Sequence, residues 1–140
     1  MANPFMLRLL TPDESIFEDN VDAIVVPGEN GEFGVLAGHT KFITTLVPGI
    51  LKYVHGGQTH KAAISGGFAE VYPDGVTVLA DTLERPEDID TERSEKSRTE
   101  VLKALEKKGD LEEAEVVRLE ARLARAENRL KVAKLSPTGS

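Results

Sequence analysis

Residues 83–90, which read Leu-Glu-Arg-Pro-Glu-Asp-Ile-Asp, divide the chain into two parts of different character. Before this segment, short apolar runs alternate with turn sequences, a pattern typical of β-structure. After it, apolar residues recur at helical spacing. The charge changes at the same place: residues 1–84 carry 4 basic and 11 acidic side chains, whereas residues 85–140 carry 13 of each. A break in composition and charge at a proline-containing segment indicates a domain boundary.

Residues 1–84 predict an antiparallel β-sandwich or flattened barrel. Turn sequences such as Gly56-Gly57 and Pro73-Asp74-Gly75 separate apolar runs at spacings of roughly 8–12 residues. The runs cover residues 5–10, 21–26, 32–36, 42–46, 49–55, 59–65, 67–72 and 76–81. The dipeptide Asn30-Gly31 predicts a type I′ hairpin turn between two of them. No helical period lies among the runs, so a parallel α/β sheet is not expected.

Residues 90–135 predict an antiparallel hairpin of two helices, at about 90–108 and 111–135. Residues 85–89 form the predicted hinge before the hairpin, and residues 136–140 form a predicted disordered tail after it. The domain order is therefore a sandwich, a hinge, a helical hairpin and a tail.

The sequence also predicts where the two helices meet and what they bury. Gly109 is predicted to end the first helix and Asp110 to cap the second, with Glu113 completing a capping box. The second helix carries one narrow apolar seam, in which spacings of three and four residues alternate. Its members are Val116, Leu119, Leu123, Ala126, Leu130 and Ala133.

The first helix is unusual because residues 90–100 contain no apolar side chain. Its first half therefore cannot bury an apolar stripe. The four leucine and valine members of the seam contribute about 1.5–3 kcal/mol each when fully buried. Ordering the backbone costs about 1–2 kcal/mol per residue. The hairpin is thus predicted to dock on another surface, and its thin seam predicts that it docks in more than one way.

Several function classes are disfavoured by composition. The chain contains no cysteine, which excludes a disulfide, a thiolate metal site and a cysteine nucleophile. Its three histidines, His39, His55 and His60, do not combine with an acid and a nucleophile into a catalytic pattern or into a metal site. A net charge of −7 disfavours nucleic-acid binding. Neither a signal peptide nor an apolar run of ~20 residues is recognisable, so the chain is predicted to be soluble and intracellular.

The stretch 31–40, which reads Gly-Glu-Phe-Gly-Val-Leu-Ala-Gly-His-Thr, has two interpretations. It is either a core strand between two turns or an exposed edge offered to a partner, with the carboxylates of Glu29 and Glu32 at its rim. The spacing of the residues favours neither interpretation.

A row of four arginines on the second helix, called here the arginine stripe, also has two interpretations. Its members are Arg118, Arg122, Arg125 and Arg129. The stripe is either a solvated face paired with the nearby Glu115, Glu120 and Glu127, or part of an anion site. In that site Arg125 and Arg129 would converge with Arg93 or Arg98 of the facing helix. Guanidinium groups suit phosphate and carboxylate. The anion is then either a nucleotide phosphate or an acidic helix of a partner protein.

Five segments together make the chain resemble the ε subunits of bacterial F-type ATP synthases. They are residues 31–39, 48–51, 64–71, 76–81 and 84–90. Their order and spacing cover nearly the full length, which makes the resemblance specific.

This resemblance implies a non-catalytic stalk subunit of the rotary motor, bound to the γ subunit and to the ring of c subunits. Such a subunit couples proton-driven rotation to ATP synthesis at the cytoplasmic face of the bacterial inner membrane, which it reaches only through the complex. Glu29, Gly31 and Glu32, with His39 close by, match the loop that contacts the ring. In this family the helices also extend into the α3β3 hexamer, where the arginine stripe would face an acidic segment of β and block ATP hydrolysis.

Some members of the family bind ATP in the folded hairpin, and no other cofactor is implied. The matching residues are Glu84, Ile89, Asp90, Arg93, Ser94, Arg125 and Arg129, with Arg98 as a further phosphate contact. Ser94 stands where the family pattern has alanine. A free-standing nucleotide-sensing module is the alternative function, and co-purification with γ and the hexamer distinguishes the two.

Overall fold

The computed structural model describes residues 3–36 and 41–135, and within them a β-domain is followed by two helices. The strands are β1 (Phe5–Leu10), β2 (Ser15–Val21), β3 (Ala23–Gly28), β4 (Gly31–Val35), β5 (Phe42–His55), β6 (Gln58–Tyr72), β7 (Gly75–Ala80) and β8 (Leu83–Glu84). The helices are α1 (Thr91–Leu105) and α2 (Glu113–Ala133). Short 3-10 turns at Pro86–Asp88 and Lys108–Asp110 precede each helix. The predicted order of sandwich and helical hairpin is confirmed, while His39 and the predicted tail lie outside the described residues.

The strands form one continuous sheet that folds over a single core. Their order is β2-β1-β7-β6-β5-β3-β4, and β8 pairs with β6. The long strands β5 and β6 belong to both layers: β7 pairs with residues 67–72 of β6, whereas β3 pairs mainly with residues 52–54 of β5. Pairing is antiparallel in the described strands except between β1 and β7, which are parallel. This parallel pair departs from the predicted all-antiparallel sheet.

Alternation along the strands places one face of each in the core. Leu7 and Leu9 of β1 are buried while Arg8 between them is exposed, as the two-residue period of a strand requires. Val76 and Val78 follow the same pattern in β7. Val101 and Val132 of the helices are among the largest fully buried side chains, and the others belong to the strands: Leu7, Leu9, Ile24, Leu51, Ile64, Val21, Val26, Val35, Val71 and Val78. The sandwich thus has its own core, independent of the helices.

Two strands are longer than predicted. The runs predicted at 42–46 and 49–55 form one strand, β5, which continues through Pro48. The ladder between β3 and β5 is irregular there, between the pairs Gly28↔Leu46 and Val25↔Lys52. Proline lacks a backbone donor and is tolerated at such an irregularity. The runs at 59–65 and 67–72 likewise form one strand, β6.

The predicted turn type between β3 and β4 is wrong. Gly28 pairs with Gly31, so the two-residue turn consists of Glu29 and Asn30. Among the described residues only glycines have a positive φ, so Asn30 does not, whereas Gly31 has a φ of 118°. A type I′ turn needs positive φ at both central residues, and here the positive φ falls on the glycine after them.

The connection between the helices also differs from the prediction. Asp90 does cap α1, because its carboxylate accepts a hydrogen bond from the amide of Arg93 at 3.0 Å. However, α2 begins at Glu113 with Glu112 at its N-cap and no side-chain cap, while Asp110 ends a 3-10 turn. Gly109 lies in that turn without the positive φ of a helix-ending glycine. The predicted capping box at Asp110 is therefore wrong.

The hairpin docks on the chain's own sandwich through a small contact. Val132 of α2 and Ile89 pack against Ala63 of β6, with Ile50 and Ala133 alongside. The predicted seam is otherwise confirmed: Val116 and Ala126 are buried, and Leu119, Leu123, Leu130 and Ala133 are half-buried. Val132, which is fully buried, was not among the predicted members.

Candidate functional site between the helices

A cavity of about 690 Å³ lies between α1, α2 and the end of the β-domain. It is called here the interhelical cavity, and its lining residues are Thr82, Glu84, Asp90, Arg93, Ser94, Lys96, Ser97, Glu100, Arg122, Arg125, Ala126 and Arg129. Its volume falls in the range of about 300–1,000 Å³ that is usual for small-molecule sites. The cavity is therefore large enough for a nucleotide.

The cavity follows directly from the composition of α1. Because residues 90–100 contain no apolar side chain, the two helices cannot meet there over an apolar seam. The buried lining residues are small: Ser94, which is 6% exposed, and Ala126, which is 2% exposed. The Ser94 hydroxyl donates to the carbonyl of Asp90 at 3.0 Å. Small buried residues and long charged ones around them leave open space between the helices.

The lining is basic although the whole chain is acidic. Five lining residues are cationic and three are anionic, in a chain whose net charge is −7. The cations are Arg93, Lys96, Arg122, Arg125 and Arg129, and the anions are Glu84, Asp90 and Glu100. This local excess of positive charge attracts anions.

Two of the lining arginines are engaged with carboxylates. Arg129 donates from Nε to the carboxylate of Glu84, which joins α2 to β8. Arg122 donates from Nη2 to Glu100 Oε2 at 3.1 Å and from Nε to the hydroxyl of Ser97 at 3.0 Å, which joins α2 to α1. These contacts tie both arginines to the cavity wall.

The other three cations have no such partner in the part of the chain that the structure describes. No ion pair within residues 3–36 and 41–135 involves the side chains of Arg93, Lys96 or Arg125. These side chains are available to an anionic ligand.

The structure brings most of the predicted nucleotide-site residues together. Glu84, Asp90, Arg93, Ser94, Arg125 and Arg129 all line the interhelical cavity. Two predicted residues do not. Ile89 packs into the apolar contact with Ala63 and Val132, and Arg98 pairs with Glu127 at 3.5 Å, away from the lining.

The arginine stripe is divided by the fold. Arg122, Arg125 and Arg129 line the interhelical cavity, whereas Arg118 is exposed and does not. Among the ion pairs of the described residues, no arginine of the stripe pairs with Glu115, Glu120 or Glu127, and Glu127 pairs instead with Arg98.

Four lining residues were not predicted: Thr82, Lys96, Ser97 and Glu100. Three of them lie on α1 three, four and seven positions after Arg93. Residues at these spacings share one helix face, so the position of Arg93 was a usable signal for them. Thr82 precedes β8 and donates its hydroxyl hydrogen bond to Ser65 at 2.7 Å, and no sequence pattern indicated it.

The predicted ring-contacting loop is the exposed tip of the β3–β4 hairpin. Glu29, Gly31 and Glu32 are exposed there, and His39 lies outside the described residues. In the strand order β4 is an edge strand that pairs with β3. Val35 is nevertheless buried and Phe33 packs against the core. Within residues 31–36 the stretch thus combines both interpretations: its tip is an exposed edge, while Phe33 and Val35 contribute to the core.

The described residues contain no group of three or more His, Asp or Glu side chains placed to hold a metal ion. In the same residues, neither helix is long and apolar enough to cross a bilayer.

Comparison with known proteins places this architecture in a family. Residues 4–86 match the family model for the β-sandwich domain of the ATP synthase delta/epsilon chain. The ATP synthase epsilon chain of Desulforamulus reducens is 40% identical over 133 residues, which are 95% of this chain and 99% of the relative. The epsilon chain of Desulfosudis oleivorans is 45% identical over 107 residues, 76% of this chain and 80% of the relative.

Solved structures agree with these relatives. A chain of the Euglena gracilis mitochondrial ATP synthase, in a structure of OSCP, F1 and c-ring, matches with a TM-score of 0.76 and 34% identity, over 89% of this chain and 78% of that one. A chain of the Tetrahymena thermophila central stalk and c-ring matches with a TM-score of 0.68 over 95% and 98%, and at 14% identity it shows the fold alone. On its sequence and its fold, the chain belongs to the family of ATP synthase epsilon chains.

Proposed function

We propose that this chain is a rotor subunit of an F-type ATP synthase, which joins the central stalk to the c-ring and regulates ATP hydrolysis through its two helices. It has no catalytic role of its own and works at the cytoplasmic face of the bacterial inner membrane as a peripheral part of the complex. Support comes from bacterial epsilon chains that match almost the whole length and from a solved match, at 34% identity, in an assembly of OSCP, F1 and c-ring.

The regulatory part of the proposal rests on one observation, the basic interhelical cavity. Its volume of about 690 Å³ accommodates a nucleotide. Arg93, Lys96 and Arg125 reach it from both helices, so that a triphosphate bound there would bridge α1 and α2. ATP is therefore the proposed regulatory ligand, and its binding stabilises the folded hairpin because it binds this form alone.

The small contact between hairpin and sandwich supports a change of conformation. It consists of an apolar cluster around Val132, the side-chain amide of Asn128 on two strand carbonyls, and the Arg129–Glu84 pair. Release of these few contacts would free α2 to extend into the α3β3 hexamer. There the arginine stripe would face an acidic segment of β, and ATP would oppose this change by occupying the cavity.

The proposed contacts with other rotor subunits use two exposed surfaces of the sandwich. The tip residues Glu29, Gly31 and Glu32 are assigned to the c-ring. The γ subunit is assigned to an outer apolar face formed by Ile43, Phe68 and Leu79, which are 66%, 54% and 44% exposed. Phe68 lies opposite Leu79 in the sheet register and diagonal to Ile43. Side chains of this size are seldom left exposed together unless a partner covers them.

The proposal is tested in two steps with the full chain. Isothermal titration with ATP should show one site, and a tagged chain should co-purify with γ and the α3β3 hexamer. The alternative, a free-standing nucleotide-sensing module, predicts ATP binding without co-purification. Phe68→Ser is the surface test: it should weaken capture of γ and leave ATP binding unchanged, whereas Val117→Ser, at an exposed position of α2, should leave both unchanged.

A further inference from the structure

Arg122 differs from the other arginines of the cavity in how it is held. Both ends of its guanidinium are engaged by α1, through Ser97 at 3.0 Å and Glu100 at 3.1 Å. Arg125, one turn further along α2, has no ion pair among the described residues. Both side chains line the same cavity. Among the described residues, therefore, the charge of Arg122 is neutralised by a carboxylate and the charge of Arg125 is not.

We propose that Glu100 is an internal counter-ion that occupies Arg122 and thereby sets the affinity of the interhelical cavity for ATP. This inference rests on the proposed ATP site and concerns its regulation. When a phosphate enters the cavity, either the Arg122–Glu100 ion pair persists and Arg122 does not bind the phosphate, or the phosphate displaces the carboxylate of Glu100 from Arg122. In both cases the affinity is lower than it would be with Arg122 free.

The strength of the pair suits this role. The side chains of Arg122 and Glu100 are 44% and 51% exposed, so solvent screens their attraction. A polyphosphate carries more charge than one carboxylate and offers a fork-shaped guanidinium two oxygens on one group. Phosphate can thus displace Glu100, but only at the expense of an existing contact.

The same contact links ATP binding to the shape of the hairpin. The Arg122–Glu100 pair joins α2 to α1. When ATP takes its place, the bridge between the helices passes through the ligand instead. Glu100 accordingly lowers the affinity for ATP while it contributes one ion pair to the folded hairpin.

A matched pair of variants isolates this effect. Glu100→Gln and Glu127→Gln each remove one negative charge and one ion pair between α1 and α2, but Glu127 pairs with Arg98 away from the cavity. By isothermal titration with ATP, the full chain with Glu100→Gln should bind about tenfold more tightly than the parent, the size expected for one added charge-assisted hydrogen bond. Glu127→Gln should bind as the parent does.

A double-mutant cycle separates release of Arg122 from a general change of charge. If Glu100 acts by occupying Arg122, Glu100→Gln should give no gain in a chain that also carries Arg122→Gln. A gain that persists in the Arg122→Gln background would overturn the inference, because the carboxylate would then act on ATP directly through space.

The remaining outcomes also decide the matter. If the parent binds ATP and Glu100→Gln binds it no more tightly, this inference is overturned while the proposed ATP site stands. If neither the parent nor Glu100→Gln binds ATP, the proposed ATP site fails and the inference fails with it. Circular dichroism melting of each variant shows whether the fold is retained, and a loss of the hairpin in Glu100→Gln alone would overturn the inference, because the main effect of Glu100 would then be on folding and not on affinity.

Discussion

Asn128 donates its side-chain amide to the main-chain carbonyl of Gly49 at 2.9 Å, and so joins α2 to the middle of β5. The same amide also reaches the carbonyl of Ile64 at 3.4 Å. Gly49 and Ile64 are paired in the register of β5 and β6. A single side chain of the helical hairpin is therefore hydrogen-bonded to two adjacent strands of the sandwich, next to the apolar cluster around Val132.

Asn128→Ala should loosen the docked hairpin. Removal of the amide leaves two half-buried carbonyls without this donor, which costs about 1–2 kcal/mol of the docked form. Hydrogen–deuterium exchange should then become faster throughout α2 and unchanged in the strands. Glu127→Ala, one residue earlier, removes only the exposed contact with Arg98 and should leave exchange near the parent rate. Equal protection of α2 in both variants would show that Asn128 does not hold the hairpin.

The double change Arg125→Ala with Arg129→Ala should abolish most ATP binding. Each lost charge-assisted contact is worth about 1.5–3 kcal/mol, or about tenfold or more in affinity. Melting of the sandwich should not change, because its core is formed by residues of the strands. Arg118→Ala is the control, since this exposed arginine does not line the cavity. Unchanged ATP titration in the double variant would refute the site assignment.

Gly67→Ala should destabilise the sandwich strongly. Gly67 has a φ of 139°, and a Cβ there would overlap the carbonyl oxygen of Leu79 on the neighbouring strand. We expect a loss of about 3 kcal/mol or more in the free energy of unfolding, measured with urea. Gly56→Ala is the comparison: Gly56 has a φ of 60° and open space around it, so its loss should be about 1 kcal/mol. Equal losses of unfolding free energy in the two variants would mean that the positive φ, and not the overlap with the carbonyl oxygen of Leu79, determines the effect of both substitutions.

Tyr53 should make the stability fall at high pH. Burial raises the pKa of Tyr53 above its ordinary value of 10.0, and the charge of Arg85 opposes this with a smaller effect. The folded chain therefore holds the phenolic proton more tightly than the unfolded chain. Stability is unaffected below about pH 10 and declines as the pH rises above it. Urea midpoints of the parent and of Tyr53→Phe between pH 8 and 11 should diverge above pH 10, with the smaller decline in Tyr53→Phe. Parallel curves would contradict the burial of this phenol.

Much of the fold could be predicted because the apolar pattern and the burial coincide. Apolar residues of the run at 76–81 alternate as buried residues do in β7. The seam from Val116 to Ala133 correctly predicted which face of α2 is turned inward. The strand β2 was missed because it is an edge strand whose Glu18, Asp19 and Asn20 are exposed. An edge strand with solvent on most of its side chains shows no apolar alternation to recognise.

The candidate site could be predicted on one helix better than on the other. On α2 the apolar seam fixes the inner face, so the arginines beside it could be placed. On α1 residues 90–100 offer no apolar side chain to indicate which face turns inward. Lys96, Ser97 and Glu100 were therefore missed, although their spacing from Arg93 places them on its face of the helix. The capping box at Asp110 failed because the 3-10 turn at Lys108–Asp110 moves the start of α2 to Glu113.

We expect residues 88–140 to inhibit ATP hydrolysis, and ATP in the interhelical cavity to oppose this inhibition. The most direct test measures ATP hydrolysis by a cognate α3β3γ complex with the full chain or with a chain truncated after Glu87, which keeps the whole core of the sandwich. The full chain should inhibit at low ATP and progressively less as ATP rises, while the truncated chain should bind without inhibiting. Equal hydrolysis with both chains at every ATP concentration would show that residues 88–140 do not regulate ATP hydrolysis.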